Sequence, residues 1–300
     1  MQLGMIGLGR MGGNMTKRLA LAGHDMKTYD PTVESTAGTL GELLDQLEAP
    51  RAFWMMVPSG RITESTFQEL LELAEPGDTI VDGGNSNFRD SQRRCAEARE
   101  RGIEFVDVGV SGGIWGLEAG YCLMAGGEAG AVSRLEPIFT ALAPQDGYAH
   151  VGGSGAGHFV KMVHNGIEYG LMQAYAEGFE VLEKSEFDLD LHEIAGIWRY
   201  GSVVRSWLLD LLHAAFEQEG GKLEKIKGYV EDSGEGRWTI AEAIAEDVPV
   251  PVISAALFAR FASRPDESFA ATVSAALRNQ FGGHAVRAAD APGSPAGEGQ

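Results

Sequence analysis

Four side chains that can move protons or hold polar groups occur within eight residues of the segment GHFVKMVHNGIEYG (157–170): Lys161, His164, Asn165 and Glu168. On a helix that advances about 100° per residue, all four lie within an arc of about 100°. A lysine partly withdrawn from water has a lowered pKa and can accept a hydroxyl proton, and a nearby carboxyl group can deliver one to carbon. The spacing predicts a catalytic face; the alternative is a solvated stripe with a Lys–Glu ion pair.

A glycine-rich turn near the start of the chain predicts a nucleotide site. The hexapeptide GLGRMG follows a short apolar stretch, residues 2–6, and precedes a helical pattern that ends at Gly23. In such a unit the first two glycines permit a tight turn and the approach of a pyrophosphate, while the third lets helix and strand pack. The residues expected to bind the dinucleotide are Gly7, Leu8, Gly9, Arg10, Met11 and Gly12.

Asp30 predicts which dinucleotide is bound. It stands eighteen residues after Gly12, at the end of a second strand-like segment, DMKTYD. A carboxylate at this position accepts hydrogen bonds from ribose hydroxyls and repels a 2′-phosphate, and the following Pro31-Thr32 offers no arginine to that phosphate. The cofactor is therefore expected to be NAD rather than NADP. The alternative is that Asp30 only caps a turn.

The rest of the first half alternates between strand-like and helical segments, which indicates a mostly parallel, doubly wound α/β sheet of the Rossmann type. Ligands of such sheets bind beyond the carboxyl ends of the strands. Three loops rich in Gly, Ser and Asn fall at that edge: 57–61, 82–88 and 109–120. One such loop alone is ordinary turn chemistry, but three at one edge indicate a site. Val57, Pro58 and Asn85 are expected beside the cofactor.

The second half is predicted to be helical throughout. Apolar residues recur with a helical period from residue 156 to about 185 without a proline, which corresponds to a helix of about 45 Å. Further helical patterns follow at 190–200, 202–219, 222–230, 237–246, 251–263 and 266–279. We therefore predict a dinucleotide-binding domain over 1–155, an all-α domain for substrate and oligomerisation over 156–285, and a disordered tail rich in Pro, Gly and Ala over 286–300.

Composition excludes several classes of partner. The formal net charge is −19, from 43 acidic and 24 basic residues, so neither nucleic acid nor an anionic membrane is an expected partner. An acidic, lysine-poor surface is also typical of proteins from a high-salt cytoplasm. No apolar run is long enough to span a membrane. Cys95 and Cys122 have neither disulfide-framework nor metal-ligand spacing, so we expect a cytoplasmic protein without a metal.

Several motifs together resemble one enzyme family. They are GLGRMGGNM (7–15), MVPSG (56–60), DGGNSNF (82–88), GVSGGIWGLEAGYCLMAGG (109–127), KMVHNGIEYG (161–170), GRWT (236–239), LFARF (257–261) and RNQFGGH (278–284). Over residues 1–285 the chain looks like a decarboxylating 6-phosphogluconate dehydrogenase of the short form, with a single helical domain. The resemblance implies oxidation of 6-phospho-D-gluconate to D-ribulose 5-phosphate and CO₂, with reduction of NAD, in the pentose phosphate pathway.

The resemblance also implies catalytic roles on the polar helix face. Lys161 takes the proton of the 3-hydroxyl group as a hydride leaves C3, and then hydrogen-bonds the new carbonyl while CO₂ is lost. Glu168 protonates C1 of the resulting enediol. His164 and Asn165 hold hydroxyl and carboxylate groups of the substrate.

Substrate contacts implied by the resemblance come from several loops and from the end of the chain. They are Asn85, Ser111, Gly112, Gly113, His164, Asn165, Tyr169, Arg260, Arg278 and His284. The last four of these match phosphate and hydroxyl contacts. In the family, the residues that match Arg278 and His284 reach into a neighbouring subunit's site. A homo-oligomer, either a dimer or a tetramer, is therefore implied.

The chain departs from the family pattern in two segments. In the segment EDSGEGRWT, Ser233 and Glu235 stand where relatives often carry a lysine and a threonine that contact the phosphate. A carboxylate beside a phosphate would repel it, so either Arg237 compensates or Glu235 is turned away. In addition, Asp30 and Pro31 stand where NADP-using relatives carry an arginine, which agrees with the expectation of NAD.

Two alternatives remain open from the sequence. One is another β-hydroxyacid dehydrogenase, of the 3-hydroxyisobutyrate or tartronate-semialdehyde type, with the same fold and catalytic lysine but without the His164, Asn165 and Glu168 set. The other is a non-catalytic NAD-sensing or scaffolding protein. The latter has no need of the polar face that holds Lys161.

Overall fold

A seven-stranded sheet forms the centre of residues 1–152 in the computed structural model, which describes residues 1–264. The strands are Gln2–Ile6 (β1), Asp25–Tyr29 (β2), Ala52–Met55 (β3), Thr79–Asp82 (β4), Glu104–Ser111 (β5), Cys122–Gly127 (β6) and Tyr148–Gly152 (β7). Their order is β2-β1-β3-β4-β5-β6-β7, and only the β5–β6 pair is antiparallel. Chain order reverses beside β1, so a crevice is expected beyond the carboxyl ends of β1 and β3.

Helices cover both faces of the sheet. They are Arg10–Leu21 (α1), Leu40–Asp45 (α2), Arg61–Leu73 (α3), Phe88–Glu100 (α4), Gly116–Ala119 (α5), Ala129–Arg134 (α6) and Glu136–Leu142 (α7). Side chains of β3 alternate between the two faces, as the pleat requires. Trp54 packs in a core with Leu19 and Phe139 on one face, while Phe53 packs with Phe67 on the other. Both faces are buried, which explains why the central strands are apolar throughout.

A long helix, Ala156–Glu183 (α8), joins the sheet to the rest of the chain. Its N-terminus is held by Asp107 of β5, which is fully buried and accepts hydrogen bonds from the backbone N–H groups of Gly155 (2.6 Å) and His158 (2.9 Å). These two groups are among the N–H donors that a helix leaves without partners in its first turn. A Cβ atom added at Gly157 would lie 2.5 Å from the carbonyl oxygens of Asp107 and Met124. The backbone of α8 therefore lies directly on β5 and β6.

Four further helices pack around α8. They are Leu191–Trp198 (α9), Trp207–Glu219 (α10), Glu235–Ala245 (α11) and Pro251–Ala262 (α12). Phe179 packs with α9 and α10 near the end of α8, whereas Tyr169 packs with α12 near its middle. Thr239 of α11 donates a hydrogen bond to the carbonyl oxygen of Met162 at 2.9 Å. Within residues 1–264, no helix is both long enough and apolar enough to cross a membrane.

The predicted fold class is confirmed, with a doubly wound sheet followed by helices, but some predicted elements differ. Residues 222–230 were expected to be helical, yet Leu223 has a left-handed φ of 48°. Leu223 packs against the Phe179 cluster, but Ile226, Tyr229 and Val230 remain exposed, so most apolar side chains of the segment have nothing to pack against. The helical pattern before β7 is divided into α6 and α7 at Leu135, just before Pro137. The short elements α2 and β7 were not predicted. The helix expected at 266–279 and the tail lie outside the described residues.

We expect Gly157→Ala to lower the free energy of unfolding by about 1–3 kcal/mol, because the added methyl group meets backbone atoms that cannot rotate away. The matched control is Gly178→Ala on the same helix, where an added Cβ atom has no neighbour within 4 Å. That change should raise stability by about 0.5–1 kcal/mol, since alanine loses less entropy in a helix. Urea unfolding measures both variants. Equal losses would contradict direct packing of α8 on the sheet.

Candidate active site

The glycine turn has the shape that a nucleotide requires. Gly7 has a φ of 90° and donates its N–H to the carbonyl oxygen of Tyr29 at 2.9 Å. A Cβ atom at Gly12 would lie 2.1 Å from the carbonyl oxygen of Gly7, so α1 packs closely against the turn. In contrast, nothing lies within 4 Å of a Cβ atom added at Gly9. Gly7 and Gly12 are thus needed by the fold, whereas the space beside Gly9 is open to a ligand.

Asp30 is fixed beside this turn. Its Oδ2 atom accepts a hydrogen bond from the N–H of Leu8 at 2.7 Å, and its Oδ1 atom accepts from the N–H and the hydroxyl of Thr32 at 2.8 and 2.7 Å. Partial burial raises the pKa of Asp30, but hydrogen bonds from Leu8, Thr32 and Val33 outweigh burial, and the net effect is a lowered pKa. The group is therefore an anion at neutral pH.

A cavity of about 930 Å³ lies along the carboxyl edge of β1, β3 and β4. It brings together nine of the ten residues that the sequence indicated for the cofactor: Gly7, Gly9, Arg10, Met11, Gly12, Asp30, Val57, Pro58 and Asn85. The tenth, Leu8, contributes the N–H that Asp30 holds. The lining thus includes residues that follow β1, β2, β3 and β4, and a cavity of this volume can hold a dinucleotide.

The loop that carries Asn85 is tied down by a buried acid. Asp82, at the end of β4, accepts hydrogen bonds from the N–H of Gly84 (3.1 Å) and the hydroxyl of Ser86 (2.7 Å). It also forms an ion pair with Arg94 of α4 at 3.0 Å, and both side chains are almost completely buried. Paired buried charges of this kind hold a loop in one conformation. Asn85 is therefore fixed between Gly84 and Ser86, which both donate hydrogen bonds to Asp82.

A second cavity, of about 870 Å³, adjoins the first between the sheet edge and α8. The two share Met11, Asn85 and Val110. The second is lined by most of the residues expected at the catalytic centre: Asn85, Ser111, Gly112, Gly113, Lys161, His164, Asn165 and Glu168. Gly112 and Gly113 have φ angles of 130° and 53°, which favour glycine in this loop.

Lys161 lines the second cavity, beside the sheet. Its side chain is only 7% exposed, and a Cβ atom at Gly109 of β5 would lie 2.4 Å from the Lys161 Cβ atom. Burial lowers the pKa of the Lys161 amine below its ordinary value, while the charges of Glu168, Glu235 and Cys122 act in the opposite direction without reversing it. An amine in this environment loses its proton more easily than one in water.

His164 and Asn165 are joined in a hydrogen-bond chain. His164 Nδ1 lies 2.9 Å from Asn165 Oδ1, and His164 Nε2 lies 3.3 Å from the hydroxyl oxygen of Ser111. Asn165 Nδ2 donates to Oε1 of Glu235 at 2.8 Å. Glu168 is less enclosed: its side chain is 38% exposed, and its Oε2 atom lies 3.9 Å from His164 Nδ1.

Tyr169 and Arg260 form a separate group behind this chain. The Arg260 guanidinium stacks on the Tyr169 ring, with 3.5 Å between its Cζ atom and the ring centroid, and it donates to the carbonyl oxygen of Glu231. The Tyr169 hydroxyl accepts from the N–H of Ser233 at 3.1 Å. Ser233 lines the first cavity, so this group lies next to the ligand space. Arg278 and His284 lie outside the described residues.

The two possibilities raised for Glu235 are decided by the geometry. Arg237 does not compensate for it, because Arg237 pairs with Asp232 at 2.9 Å. Glu235 is instead turned toward α8, where it binds Asn165. The sequence did not indicate this contact; the one signal was a lone acid in the small-residue turn SGEG. Nor did it indicate Trp207, Leu208 and Leu211 of α10, which line the second cavity and can be placed there only by tertiary packing.

The residues of the described part of the chain do not form a metal site: no group of three His, Cys, Asp or Glu side chains in residues 1–264 has the geometry to hold an ion. The polar groups of the two cavities are instead an amine, an imidazole, an amide, a carboxylate and loop hydroxyls. Such a set can hold a polyhydroxylated anion and exchange protons with it.

Both halves of the chain match family profiles from one enzyme. Residues 2–152 match the NAD binding domain of 6-phosphogluconate dehydrogenase, and residues 157–289 match the 6-phosphogluconate dehydrogenase C-terminal domain. A relative from Haloferax volcanii, named 6-phosphogluconate dehydrogenase, NAD(+)-dependent, decarboxylating, is 44% identical over 301 residues. That alignment covers 97% of this chain and 100% of the relative.

Solved structures agree with the architecture. The 6-phosphogluconate dehydrogenase of Plasmodium falciparum, studied in its apo form and with NADP⁺ and 6-phosphogluconate, is 27% identical with a TM-score of 0.81. The match covers 94% of this chain and 65% of that one, so this chain spans about two thirds of the Plasmodium chain. A 3-hydroxyisobutyrate dehydrogenase of Mycobacterium tuberculosis is 22% identical with a TM-score of 0.69, covering 92% and 99% of the two chains. The latter likeness shows the fold alone.

We expect Gly9→Ala to weaken NAD binding by about tenfold or more while the midpoint of thermal unfolding stays unchanged. The added methyl group meets no protein atom within 4 Å, so it harms only a ligand that approaches the turn. Calorimetric titration with NAD and thermal unfolding are the two measurements. Gly130→Ala, which also has nothing within 4 Å of the added Cβ atom and lines neither cavity, is the control for binding. Unchanged NAD affinity in Gly9→Ala would contradict this location of the pyrophosphate.

Proposed function

This chain belongs to the 6-phosphogluconate dehydrogenase family, and we propose that it oxidises 6-phospho-D-gluconate to D-ribulose 5-phosphate and CO₂ with NAD as the hydride acceptor. The observation that carries the proposal is the position of the Lys161 amine. It is buried in the wall of the second cavity, which also contains Glu168 and which adjoins the first cavity at Met11, Asn85 and Val110.

The residues present fit NAD. The turn at Gly9 leaves room for a pyrophosphate, and the anionic Asp30 suits free ribose hydroxyls better than a 2′-phosphate. Val57, Pro58 and Asn85 line the same cavity toward Lys161. When bound, NAD supplies the acceptor for the hydride that leaves C3 of the substrate.

Lys161 is proposed as the base. Its lowered pKa favours the neutral amine, which accepts the proton of the 3-hydroxyl group as C3 becomes a carbonyl. The protonated amine then donates a hydrogen bond to that carbonyl oxygen, which receives the electrons of the breaking C1–C2 carboxylate bond as CO₂ leaves.

Glu168 is proposed as the acid that completes the reaction. Loss of CO₂ leaves an enediol, and a proton must reach its terminal carbon to give the ketose. Glu168 lies one helical turn after His164 on α8. Its side chain is partly exposed, so it can regain a proton from water after each turnover. His164, Asn165, Asn85, Ser111 and the Gly112–Gly113 loop line the space for the substrate's hydroxyl and carboxylate groups.

The phosphate end of the substrate is proposed to lie near Tyr169, Ser233 and Arg260. The tyrosine–arginine stack supplies a cation and a hydroxyl group at the edge of the ligand space. Arg278 and His284 of a neighbouring subunit are proposed to complete this subsite in a dimer or tetramer. Exposed apolar side chains on α8 and α10, among them Ile167 and Trp207, support an association of subunits along these helices.

The division of the chain follows from these roles. We propose that residues 1–155 bind the cofactor, that residues 156–285 bind the substrate and form the subunit contact, and that residues 286–300 are a tail. A cytoplasmic location is part of the proposal. It is supported by the two free cysteines, Cys95 and Cys122, of which the second is exposed.

Incubation with 6-phosphogluconate should produce reduced cofactor, seen by its absorbance, with kcat/KM at least about tenfold higher for NAD than for NADP. Asp30 is the physical reason, because its charge repels a 2′-phosphate. Asp30→Asn removes that charge but retains an oxygen for the N–H of Leu8, and it should narrow the preference. The assays are run at low and high salt because of the acidic surface. Equal or better use of NADP by the unaltered protein would refute the cofactor assignment.

Glu168→Gln should reduce the steady-state release of CO₂ by about 10²–10⁴-fold, because glutamine cannot protonate the enediol and the enzyme is not freed for the next turnover. NAD affinity should be unchanged, since Glu168 lines only the second cavity. Release of labelled CO₂ from C1-labelled substrate is the measurement, and Glu183→Gln, exposed on the same helix, is the control. CO₂ release at the normal rate would contradict the assignment of Glu168 as the acid that completes the reaction.

A further inference from the structure

Glu235 is a buried acid whose role the proposed reaction leaves open. It is the first residue of α11 and only 2% exposed. Its Oε1 atom accepts the hydrogen bond from Asn165 Nδ2, while its Oε2 atom is buried without a hydrogen-bond partner among residues 1–264. Burying a carboxyl group with so few partners is costly, so a specific use of the group is expected.

The carboxylate gives a direction to the whole hydrogen-bond chain. An ionised carboxylate only accepts hydrogen bonds, so the Asn165 amide must present its nitrogen to Glu235. The amide oxygen then faces His164 Nδ1 at 2.9 Å, and that nitrogen must carry a proton to donate to it. In the neutral ring, Nε2 is consequently left as an acceptor, and the Ser111 hydroxyl at 3.3 Å is its donor.

We propose that Glu235 is the positioning residue that sets the amide orientation of Asn165 and, through it, the tautomer of His164. With this direction of the hydrogen-bond chain, the Ser111 hydroxyl group donates its proton to the hydrogen bond with His164 Nε2. The Ser111 oxygen is then free to accept a hydrogen bond from a substrate hydroxyl group. This inference rests on the proposed function only for its effect on turnover; the direction of the chain is a property of the protein alone.

A threonine, which relatives often carry at this position, would not impose the same direction. A hydroxyl group both donates and accepts, and the threonine side chain is shorter than that of glutamate. The acid in this chain therefore replaces a phosphate contact with an internal one. The chain loses one contribution to substrate affinity at this position and gains a fixed orientation of Asn165 and His164.

Glu235 also lies near the base, because its hydrogen-bond partner Asn165 is one helical turn after Lys161 on the same face of α8. The charged or titratable groups that act on the Lys161 amine are Glu168 on α8, Glu235 on α11 and Cys122 on β6, and each raises its pKa against the effect of burial. Removal of the Glu235 charge should therefore lower the pKa of Lys161 further. Because the reaction needs the neutral amine, the acidic limb of the pH profile of kcat/KM should move to lower pH.

The decisive experiment is nitrogen NMR of the full-length protein labelled with ¹⁵N-histidine, with the His164 signals identified by their loss in His164→Gln. In the neutral ring of the unaltered protein, Nδ1 is expected to carry the proton and Nε2 to be bare. Glu235→Gln, which can also donate, should populate the Nε2-protonated tautomer. The control is Glu246→Gln, exposed just beyond the same helix, which should leave the spectrum unchanged. Nε2 protonation in the unaltered protein would overturn the proposal even if the variant does not fold.

Kinetics supply the second readout. In Glu235→Gln, kcat should fall by about ten- to a hundredfold, the range expected for one lost hydrogen bond to a charged group, and the acidic limb should move to lower pH. A purely structural role would lower the amount of folded enzyme without moving the limb, so an unmoved limb contradicts the action on Lys161. If the NMR result holds but 6-phosphogluconate is not oxidised, the proposed function fails while the role of Glu235 stands.

Discussion

The site depends on the contact between the backbone of one helix and the sheet. Helix α8 lies on β5 and β6 without intervening side chains, because Gly109 and Gly157 leave no Cβ atoms between them. Asp107 holds the first turn of the helix by two hydrogen bonds from backbone N–H groups. A shift of the helix by one residue would move it by about 1.5 Å and turn it by about 100°. The contact thus determines that the Lys161 amine, rather than a neighbouring side chain, faces the carboxyl edge of the sheet.

The buried charged groups near the cavities form an ion pair, accept hydrogen bonds or have a proposed catalytic role. Asp82 and Arg94 neutralise each other beneath the Asn85 loop. Asp107 takes its hydrogen bonds from the helix start. Lys161 is withdrawn from water, yet three titratable groups moderate the loss of its proton. Charges held in this way need little rearrangement when the charge of a substrate changes during a reaction, which is the condition for electrostatic stabilisation by an enzyme.

The sequence was sufficient for the features that local pattern determines. The turn at Gly7–Gly12, its distance to Asp30 and the single polar face of α8 all follow from residue spacing, and the structure has the strand, turn and helix at those positions. Contacts between segments that are distant in the sequence could not be predicted from local patterns. Nothing local in SGEGRWT indicates that Glu235 meets Asn165, seventy positions earlier, or that α10 closes one side of the second cavity. The pattern at 222–230 failed for a related reason, since a helical period stabilises a helix only where another element covers its apolar side.

Asp30 has a consequence for protein engineering. The carboxylate that we propose for the ribose hydroxyls also accepts hydrogen bonds from the Leu8 N–H of the glycine turn and from both donors of Thr32. A designer who replaces it with a small or basic residue to admit a different nucleotide would also remove the acceptor that shapes the turn. Redesign of this enzyme's cofactor range therefore has to supply a new acceptor for Leu8 in the same step, because specificity and loop geometry are coupled through one side chain.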